Sequence, residues 1–295
     1  MFQIFGIPSQ ALFGQLLLGL INGSFYALLS LGLAVIFGML NVINFTHGAQ
    51  YMLGAFTTFF LLQYLGLGYW WAIVIAPIVV GIIGMIIERL FLKRLQSLDH
   101  LYGLLLTFGL ALIIEGVFRN FFGSSGLPYA VPPSLQGGTN LGFMFLPNYR
   151  AWVVIFSLAV CLATWFLIER TKLGAYLRAA TENPTLVRAF GINVPRLITL
   201  TYGVGVGLAA LAGVMAAPIY NVSPQMGANL IIVVFAVVVI GGMGSIMGAI
   251  VTGFGLGLIE GLTKVFFPQA ANTAIFVIMA IVLLVRPAGL FGRRI

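Results

Sequence analysis

The side chains that carry most enzyme chemistry are few in this sequence and lie far apart. The chain has two histidines, His47 and His100, one cysteine, Cys161, and one aspartate, Asp99. A zinc site needs several such ligands at close spacing, and a hydrolytic triad needs a nucleophile beside a base and an acid. No stretch reads Gly-x4-Gly-Lys-Ser/Thr, the loop that holds nucleotide phosphates. The sequence therefore predicts neither an enzyme nor a bound cofactor.

Amide, hydroxyl and imidazole groups interrupt the apolar segments nearest the N-terminus, at Asn22, Asn44, Thr46, His47 and Gln50. Burying such groups in a bilayer without partners costs several kcal/mol each, so they must face protein or water. They are predicted to line a pathway for a solute or to mark a break between the first two membrane spans. For His47, a hydrogen-bonded structural role is the favoured interpretation.

Glycines interrupt a second apolar stretch, in the run Gly241-Gly242-Met243-Gly244-Ser245. Such a run permits a tight reversal or an unwound segment, which is tolerated at membrane depth only when it is buried in protein or faces water. The run is predicted to be a gate or hinge beside the pathway, or else an interhelical turn, which is the simpler interpretation. Small residues further along are predicted to let helices approach closely: Gly253, Gly255, Gly257 and Gly261.

Two further patterns concern packing. Glu115 with Arg119 and Glu260 with Lys264 are acid–base pairs at a spacing of four, predicted to be mainly structural. A faint echo relates Asn41-Val42 with Gly48 to Asn221-Val222 with Gly227, the kind of internal repeat that is common in transporters.

The longest polar segment on the predicted cytoplasmic face of the protein spans residues 170–196, approximately. Within it, Asn183 is a good N-cap, Pro184 suits the first helical position and Gly191 suits a left-handed stop. These signals predict a two-turn helix over about 184–190. Leu186 and Phe190 share one face of that helix. The face is predicted either to enter a groove on a soluble partner or to lie on the lipid surface.

Composition places the chain in a membrane. It is 61% hydrophobic and 7% charged, and its first 87 residues contain no charged side chain. Ordinary soluble domains are about 45–50% apolar and about 25% charged. The formal net charge of +8 does not indicate nucleic-acid binding, because the bases flank apolar segments instead of forming a patch. We expect one all-α transmembrane domain, residues 1–295.

A bundle of eight or nine spans is predicted, because a helix crosses the hydrocarbon core with about 20 apolar residues. The candidate spans are 12–37, 42–62, 70–91, 101–122, 151–169, 197–217, 228–244, 246–267 and 272–288.

The basic residues set the predicted orientation. Eleven of the fourteen lie in three clusters, within 89–94, 170–196 and 286–294, separated by even numbers of spans. All three clusters therefore face the cytoplasm, as does the C-terminus. The segment 123–150 becomes an extracytoplasmic loop. Nine spans place the N-terminus outside, whereas a dipping segment at 42–62 would make eight spans and place it inside.

Several motifs resemble the high-affinity branched-chain amino-acid permease family of ABC importers. The resemblance covers essentially the whole chain and is most specific in the segment about 170–196 and in the glycine run. The motifs are Asn22 to Leu28, Asn41 to Phe45 with His47-Gly48, Glu182-Asn183-Pro184 with Arg188 and Gly191 to Val194, the glycine-rich 203–213, Val239 to Ser245 with Gly248, and Arg286 to Gly292.

The resemblance implies a complex in the bacterial cytoplasmic membrane. A second, homologous permease subunit or a second copy would complete the pathway, two cytosolic ATPases would bind ATP, and an extracytoplasmic binding protein would deliver the substrate. The short helix would be the coupling helix that contacts the ATPases. Its predicted contact residues are Glu182, Asn183, Pro184, Leu186, Val187, Arg188, Phe190 and Gly191. The alternatives are a permease for an amide, urea or a sugar, and a standalone secondary transporter.

Overall fold

The computed structural model describes residues 3–4, 7–40, 44–95, 98–142 and 144–292. The predictions that concern Asn41, Val42, Ile43, Arg293 and Arg294 fall outside these residues.

Helices dominate the described chain, as expected where lipid cannot satisfy open strand edges. They are α1 Ser9–Leu40, α2 Thr46–Leu65, α3 Tyr69–Ile87, α4 Lys93–Leu95, α5 His100–Phe122, α6 Asn148–Arg170, α7 Lys172–Glu182, α8 Pro184–Ala189, α9 Val194–Tyr220, α10 Met226–Gly241, α11 Ile246–Phe266 and α12 Ala271–Val285. A π-helical turn, Glu88–Leu92, joins α3 to α4, and 3-10 turns lie at Pro133–Leu135 and Pro268–Ala270.

Two small hairpins were not predicted. β1 (Gln3–Ile4) pairs with β2 (Ile7–Pro8), and β3 (Gly138–Asn140) pairs with β4 (Phe145–Pro147), both antiparallel. The second hairpin and a 3-10 turn lie within the segment 123–150, which was predicted to be an extracytoplasmic loop. Thr139 stands opposite Leu146 in its register.

Seven segments of the described chain are long and apolar enough to cross a membrane. They are Ser9–Gly38, Tyr69–Leu95, Leu101–Phe122, Asn148–Arg170, Val194–Tyr220, Ile246–Phe266 and Pro268–Val285. The predicted spans 42–62 and 228–244 correspond to α2 and α10, which are not among the seven. The α10 helix has 16 residues, and α2 carries His47, Gln50 and three threonines.

The centre of the bundle is built from α1, α2 and α9, which meet through small residues. A Cβ on Gly54 of α2 would lie 2.2 Å from the carbonyl oxygen of Ala210, and one on Gly213 of α9 would lie 2.0 Å from that of Tyr51. Side chains at these positions would separate the helices, so glycine sets the close approach. By contrast, α5, α6 and α12 have large exposed apolar surfaces.

Two antiparallel helix pairs define the ends of the bundle. Along α1 and α11, Gly19 lies opposite Gly257, and Gly38 lies opposite Gly244, just before α11 begins. Along α3 and α9, Gly81 contacts Gly203. The end of α1, the beginnings of α9 and α11, and α7 with α8 therefore gather at what we name the α8 end. The beginning of α1 and the ends of α9 and α11 form the opposite end.

The echo between the two halves of the sequence corresponds to a contact. Gly48, near the start of α2, and Gly227, near the start of α10, meet backbone to backbone. A Cβ on Gly48 would lie 2.7 Å from the carbonyl oxygen of Gly227, and one on Gly227 would lie 2.0 Å from that of Gly48. The helices α2 and α10 are therefore in contact at their N-terminal ends.

Candidate functional site

The short helix α8 is specified by its ends. The side-chain oxygen of Asn183 accepts a hydrogen bond from the Leu186 amide at 2.9 Å, and Pro184 occupies the first turn. Gly191 has a φ of +82°, the left-handed conformation that glycine adopts without strain. The helix ends at Ala189, with Phe190 as its C-cap. Sequence and structure therefore agree on a short helix here, one residue shorter than predicted.

The exposed face of α8 is apolar. Leu186 is 54% exposed and Phe190 is 77% exposed. Large apolar side chains held this far out of the core, beside the exposed Arg188, form a surface that a partner or a lipid headgroup layer can cover. Glu182, Asn183 and Pro184 are also exposed.

Val187 departs from the prediction that it contacts an ATPase. It is buried and packs with Ala180 of α7 and Val194 of α9. Its position one residue after Leu186 turns it toward the protein, because neighbours in a helix lie about 100° apart. Val187 anchors α8 to the bundle, and the exposed apolar surface of α8 is formed by Leu186 and Phe190.

The helix α7 precedes α8 and was not predicted. Gly174 packs so closely on the end of α6 that a Cβ there would lie 1.6 Å from the carbonyl oxygen of Ile168. Arg178 donates to the same carbonyl oxygen at 2.8 Å and to Glu169 at 3.4 Å. These contacts fix α7 to the bundle, so α8 is carried on a rigid base.

The predicted pathway residues Asn44, Thr46 and His47 lie in the protein core, with exposures of 0–1%. Asn44 donates to Tyr202 of α9 at 3.0 Å, and the hydroxyl of Thr46 donates to the carbonyl oxygen of Thr107 at 2.9 Å. Gln50 also donates to the hydroxyl of Tyr202, at 3.4 Å. The group joins α2 to α5 and α9, and its members do not line either of the cavities described below.

His47 has a structural environment. Its Nε2 lies 3.0 Å from the carbonyl oxygen of Leu29, so Nε2 carries the hydrogen and Nδ1 is left as an acceptor without a partner among the described residues. Its ring packs against Gly32, where a Cβ would lie 3.0 Å from the ring. This geometry favours the hydrogen-bonded structural interpretation.

Replacing Tyr202 by phenylalanine is expected to destabilise the fold by about 1–3 kcal/mol, because two buried amide donors lose their acceptor. The variant should melt at a lower temperature in detergent than the parent chain. Tyr102→Phe is the matched control, since Tyr102 is 56% exposed on α5. Equal melting temperatures for the two variants would contradict the structural weight given to this network.

The glycine run forms the turn between α10 and α11. The Ser245 amide bonds to the carbonyl oxygen of Gly242 at 2.9 Å, and the Ser245 hydroxyl caps α11 by accepting from Gly248 at 3.1 Å. Gly242 and Gly244 have φ values of +100° and +82°. The local structure matches the simpler interpretation, an interhelical turn.

The C-terminal segment packs on this turn. The amides of Leu290 and Phe291 donate to the carbonyl oxygens of Ile240 and Gly241, at 2.8 and 3.1 Å. A Cβ on Gly242 would lie 2.5 Å from the backbone nitrogen of Gly292. The end of α10 is therefore capped by the chain's own C-terminal segment.

A cavity of about 420 Å³ opens at the α8 end. Gly244 and Ser245 line it, and so do Ala34 and Val35 of α1 and Arg178 and Glu182 of α7. The cavity touches both the glycine turn and the helix that carries α8.

A second cavity, of about 310 Å³, lies at the opposite end. Of the residues predicted for the pathway, it contains Asn22. The other described lining residues were not predicted: Phe25, Tyr26, Tyr51, Tyr220, Ser223, Met226, Asn229 and Leu230. The cluster combines aromatic rings with amide and hydroxyl groups, and only Asn22 had been marked by an obvious polar interruption of an apolar run.

Behind this second cavity lies Glu260, which is 3% exposed. Its carboxylate accepts hydrogen bonds from Tyr26 at 2.7 Å and Asn22 at 3.3 Å, and it forms an ion pair with Lys264. The predicted pair exists, but its acid is buried in protein while the lysine side chain extends outward. The pair Glu115–Arg119 is also formed.

Glu88 is a second buried acid, 1% exposed, that the sequence marks only as the first charge. The Thr199 hydroxyl donates to its carboxylate at 2.7 Å. This bond ties the π-helical turn after α3 to the early turns of α9, which follow α8 in the chain. Glu88 and Glu260 are therefore both buried in protein, each with a hydroxyl donor from another helix.

Comparison with known proteins identifies the family. The family described as "Branched-chain amino acid transport system / permease component" matches residues 15–286. The chain is 31% identical to the high-affinity branched-chain amino acid transport system permease protein LivH of Escherichia coli K12, over 95% of each chain. It is 30% identical to BraD of Pseudomonas aeruginosa, again over 95% of each. LivM of E. coli K12 is 27% identical over 90% of this chain and 67% of LivM.

These matches cover nearly the whole bundle, including α8, the glycine turn and both cavities. The chain belongs to the family of branched-chain amino acid transport permease components.

Proposed function

We propose that this chain is the membrane-spanning subunit of an ATP-driven importer that carries branched-chain amino acids. The observation that carries the proposal is α8, a rigidly mounted helix that exposes Leu186 and Phe190. A helix that presents two apolar anchors suits a groove on a partner protein. The chain contains no phosphate-binding loop, so the energy must come from separate ATPase subunits that receive α8.

The proposed orientation places the α8 end in the cytoplasm, together with the C-terminus. The positive-inside rule assigns the three basic clusters of the sequence to that side of the membrane. The described segments of 123–147 then lie outside. We count nine crossings, with α2 and α10 as the two that protein surrounds. Polar side chains in α2 are compatible with a crossing because most of that helix is buried among its neighbours.

The proposed complex contains a second permease subunit, two cytosolic ATPases and an extracytoplasmic binding protein. The existence of both LivH and LivM in one bacterium supports a pair of different permease subunits, although a second copy of this chain fits the same role. The binding protein would contact the outer segment that carries β3 and β4. The lipid bilayer covers the exposed apolar faces of α5, α6 and α12 wherever no partner does.

Two cavities at opposite ends indicate how the pathway is closed. In the proposed orientation, the cavity at the α8 end is the inner cavity and the cavity at the opposite end is the outer cavity. On α1, Phe25 and Tyr26 line the outer cavity, whereas Ala34 and Val35 line the inner cavity. The residues between them are buried, so a layer of roughly 10 Å separates the cavities. In the proposed cycle, ATPase movement at α8 shifts this layer. The interhelical turn that contains Gly241, Gly242, Gly244 and Ser245 borders the inner cavity through its last two residues, and this turn is the proposed inner gate.

Reconstitution tests the proposal. The chain is assembled with its partner permease, ATPases and binding protein in proteoliposomes, and ATP-dependent uptake of leucine is compared with uptake of urea and fructose. We expect uptake of leucine alone. Uptake of a different solute would keep the transporter class and change its cargo. Gradient-driven uptake by the purified chain without ATPases would instead establish a secondary transporter.

A further inference from the structure

The outer cavity is bordered by hydrogen bonds that all run toward one carboxylate. Because the carboxylate of Glu260 accepts and cannot donate, the amide nitrogen of Asn22 must face it. The oxygen of Asn22 is then turned to Tyr220, whose hydroxyl donates to it at 2.9 Å. Tyr26 donates directly to Glu260 at 2.7 Å.

The donor-to-acceptor direction of these hydrogen bonds decides which polar groups the cavity presents to a solute. Tyr26 and Tyr220 have committed their hydroxyl hydrogens, so the oxygens that remain toward the cavity are acceptors. A relay of polarised hydrogen bonds that ends on a carboxylate makes these oxygens more negative. A solute that brings donors and positive charge therefore fits this side of the cavity.

Aromatic rings add to the same preference. Phe25 and Tyr220 pack edge to face with centroids 5.6 Å apart, and both line the cavity. Ring faces attract ammonium groups. No arginine or lysine belongs to the described lining, and Lys264 lies behind the cavity, where it is paired with Glu260.

Tyr51 supplies an unused polar group. It is 1% exposed and lines the cavity, yet its hydroxyl has no hydrogen-bond partner among the described residues. A tyrosine hydroxyl this deeply placed normally has a partner. A solute in the cavity would provide one.

We propose that the outer cavity is a subsite for a primary ammonium group, formed by Tyr26, Tyr220 and Asn22 in front of Glu260. This inference rests on the proposed function and names how the substrate's amino group is recognised. The apolar side chain of a branched-chain amino acid then lies against Phe25, Met226 and Leu230. The cavity volume of about 310 Å³ lies within the range of small-molecule sites.

Occupancy can be measured without transport by a cysteine at the cavity edge. Ser223→Cys is introduced, and the assembled complex is alkylated with a maleimide in the presence of single-function probes. The parent chain, whose Cys161 is buried, gives the background. We expect leucine and isoamylamine to slow the alkylation several-fold. Isocaproate and isoamyl alcohol, which keep the side chain and lack the ammonium group, should leave the rate unchanged.

Two further substitutions, each made in the Ser223→Cys chain, test the hydrogen-bond relay that ends on Glu260. Tyr220→Phe removes one acceptor, and Glu260→Gln removes the charge that polarises the relay. Each should raise the isoamylamine concentration needed for protection by about tenfold or more. Tyr129→Phe is the matched control, because Tyr129 has a buried hydroxyl without a described partner and lies outside the cavity lining. Ser125→Cys, in the exposed outer segment, should show no protection.

The outcomes separate the subsite from the transporter's function. Equal protection by isoamyl alcohol or isocaproate, or unchanged protection in both relay variants, would overturn the ammonium subsite. Absence of isoamylamine protection in a complex that still imports leucine would overturn the subsite and leave the function standing. Protection by isoamylamine in a complex that imports no amino acid would support the subsite and overturn the function.

Discussion

Replacing Gly257 by valine is expected to prevent the chain from forming its native bundle. Gly257 lies where α11 crosses α1, and a Cβ there would lie 2.4 Å from both the carbonyl oxygen of Gly19 and the α-carbon of Gly23. Both obstacles are backbone atoms, so no side-chain rotation can relieve the clash. Overpacking a core costs about 1–3 kcal/mol when side chains can adjust, and a larger loss is expected here.

The same helix provides the control. A Cβ on Gly255 would meet no atom within 4 Å, so Gly255→Val changes helix propensity equally without the clash. Yield of monodisperse protein and melting temperature in detergent should fall for Gly257→Val and stay near the parent values for Gly255→Val. Similar losses for both variants would assign the effect to propensity, and similar tolerance would contradict the close packing of α1 and α11.

Gly255 and Gly257 also show which part of the helix packing could be predicted from the sequence. Four glycines of α11 were expected to allow close approach, and three of them do so: Gly253, Gly257 and Gly261. Gly255 was the wrong prediction, because it lies two residues from its neighbours in the series and so turns to another face. A spacing of four selects the face that meets α1, and composition alone does not reveal this.

Local signals were predictable where they act within a few residues. The N-cap at Asn183, the proline after it and the left-handed Gly191 all specify α8, and the structure has a helix there. The helix α7 was missed because its polar surface resembles a loop. What orders α7 is the contact of Gly174 with Ile168 and the hydrogen bonds of Arg178, which depend on the fold.

The hydrogen-bond partners of the buried polar residues could not be predicted, because they lie far away in the sequence. Asn44 and Gln50 were recognisable as polar groups that need partners, but their acceptor, Tyr202, lies in a glycine- and alanine-rich helix far along the chain. Glu260 was paired correctly with Lys264, whereas its bonds to Asn22 and Tyr26 of α1 had no signal in sequence. The packing of α1 against α11 brings Glu260 to these residues, and the cavity in front of it is lined by α1, α2, α9 and α10, which are far apart in the sequence.

Phe190→Asp is expected to abolish substrate-stimulated ATP hydrolysis by the assembled transporter, while membrane insertion and folding of the chain stay intact. Phe190 is 77% exposed, so the free subunit loses little packing when it is replaced. In the complex, the new carboxylate would have to be buried in an apolar groove without a partner. Burying an unpaired charge is costly enough to prevent docking. Leu186→Asp should act in the same direction.

Leu173→Asp separates docking from attachment to lipid. Leu173 is 52% exposed on α7 and lies outside α8, so this variant places the same charge on the same end of the bundle. ATP hydrolysis and copurification of the ATPase are measured for all three variants in proteoliposomes that contain the binding protein and leucine. A loss in Leu173→Asp equal to that in Phe190→Asp would indicate a surface that rests on lipid.

The side of the membrane on which α8 lies decides whether that coupling is possible. Thr185→Cys, on the exposed first turn of α8, should react with a membrane-impermeant maleimide only when the cytoplasmic side is accessible. Labelling from outside would contradict the orientation. If labelling is cytoplasmic and Phe190→Asp loses hydrolysis while Leu173→Asp does not, the two exposed anchors transmit force from the ATPase. Val187, buried between them, then holds α8 to the start of α9, where the Thr199–Glu88 bond carries the displacement to α3.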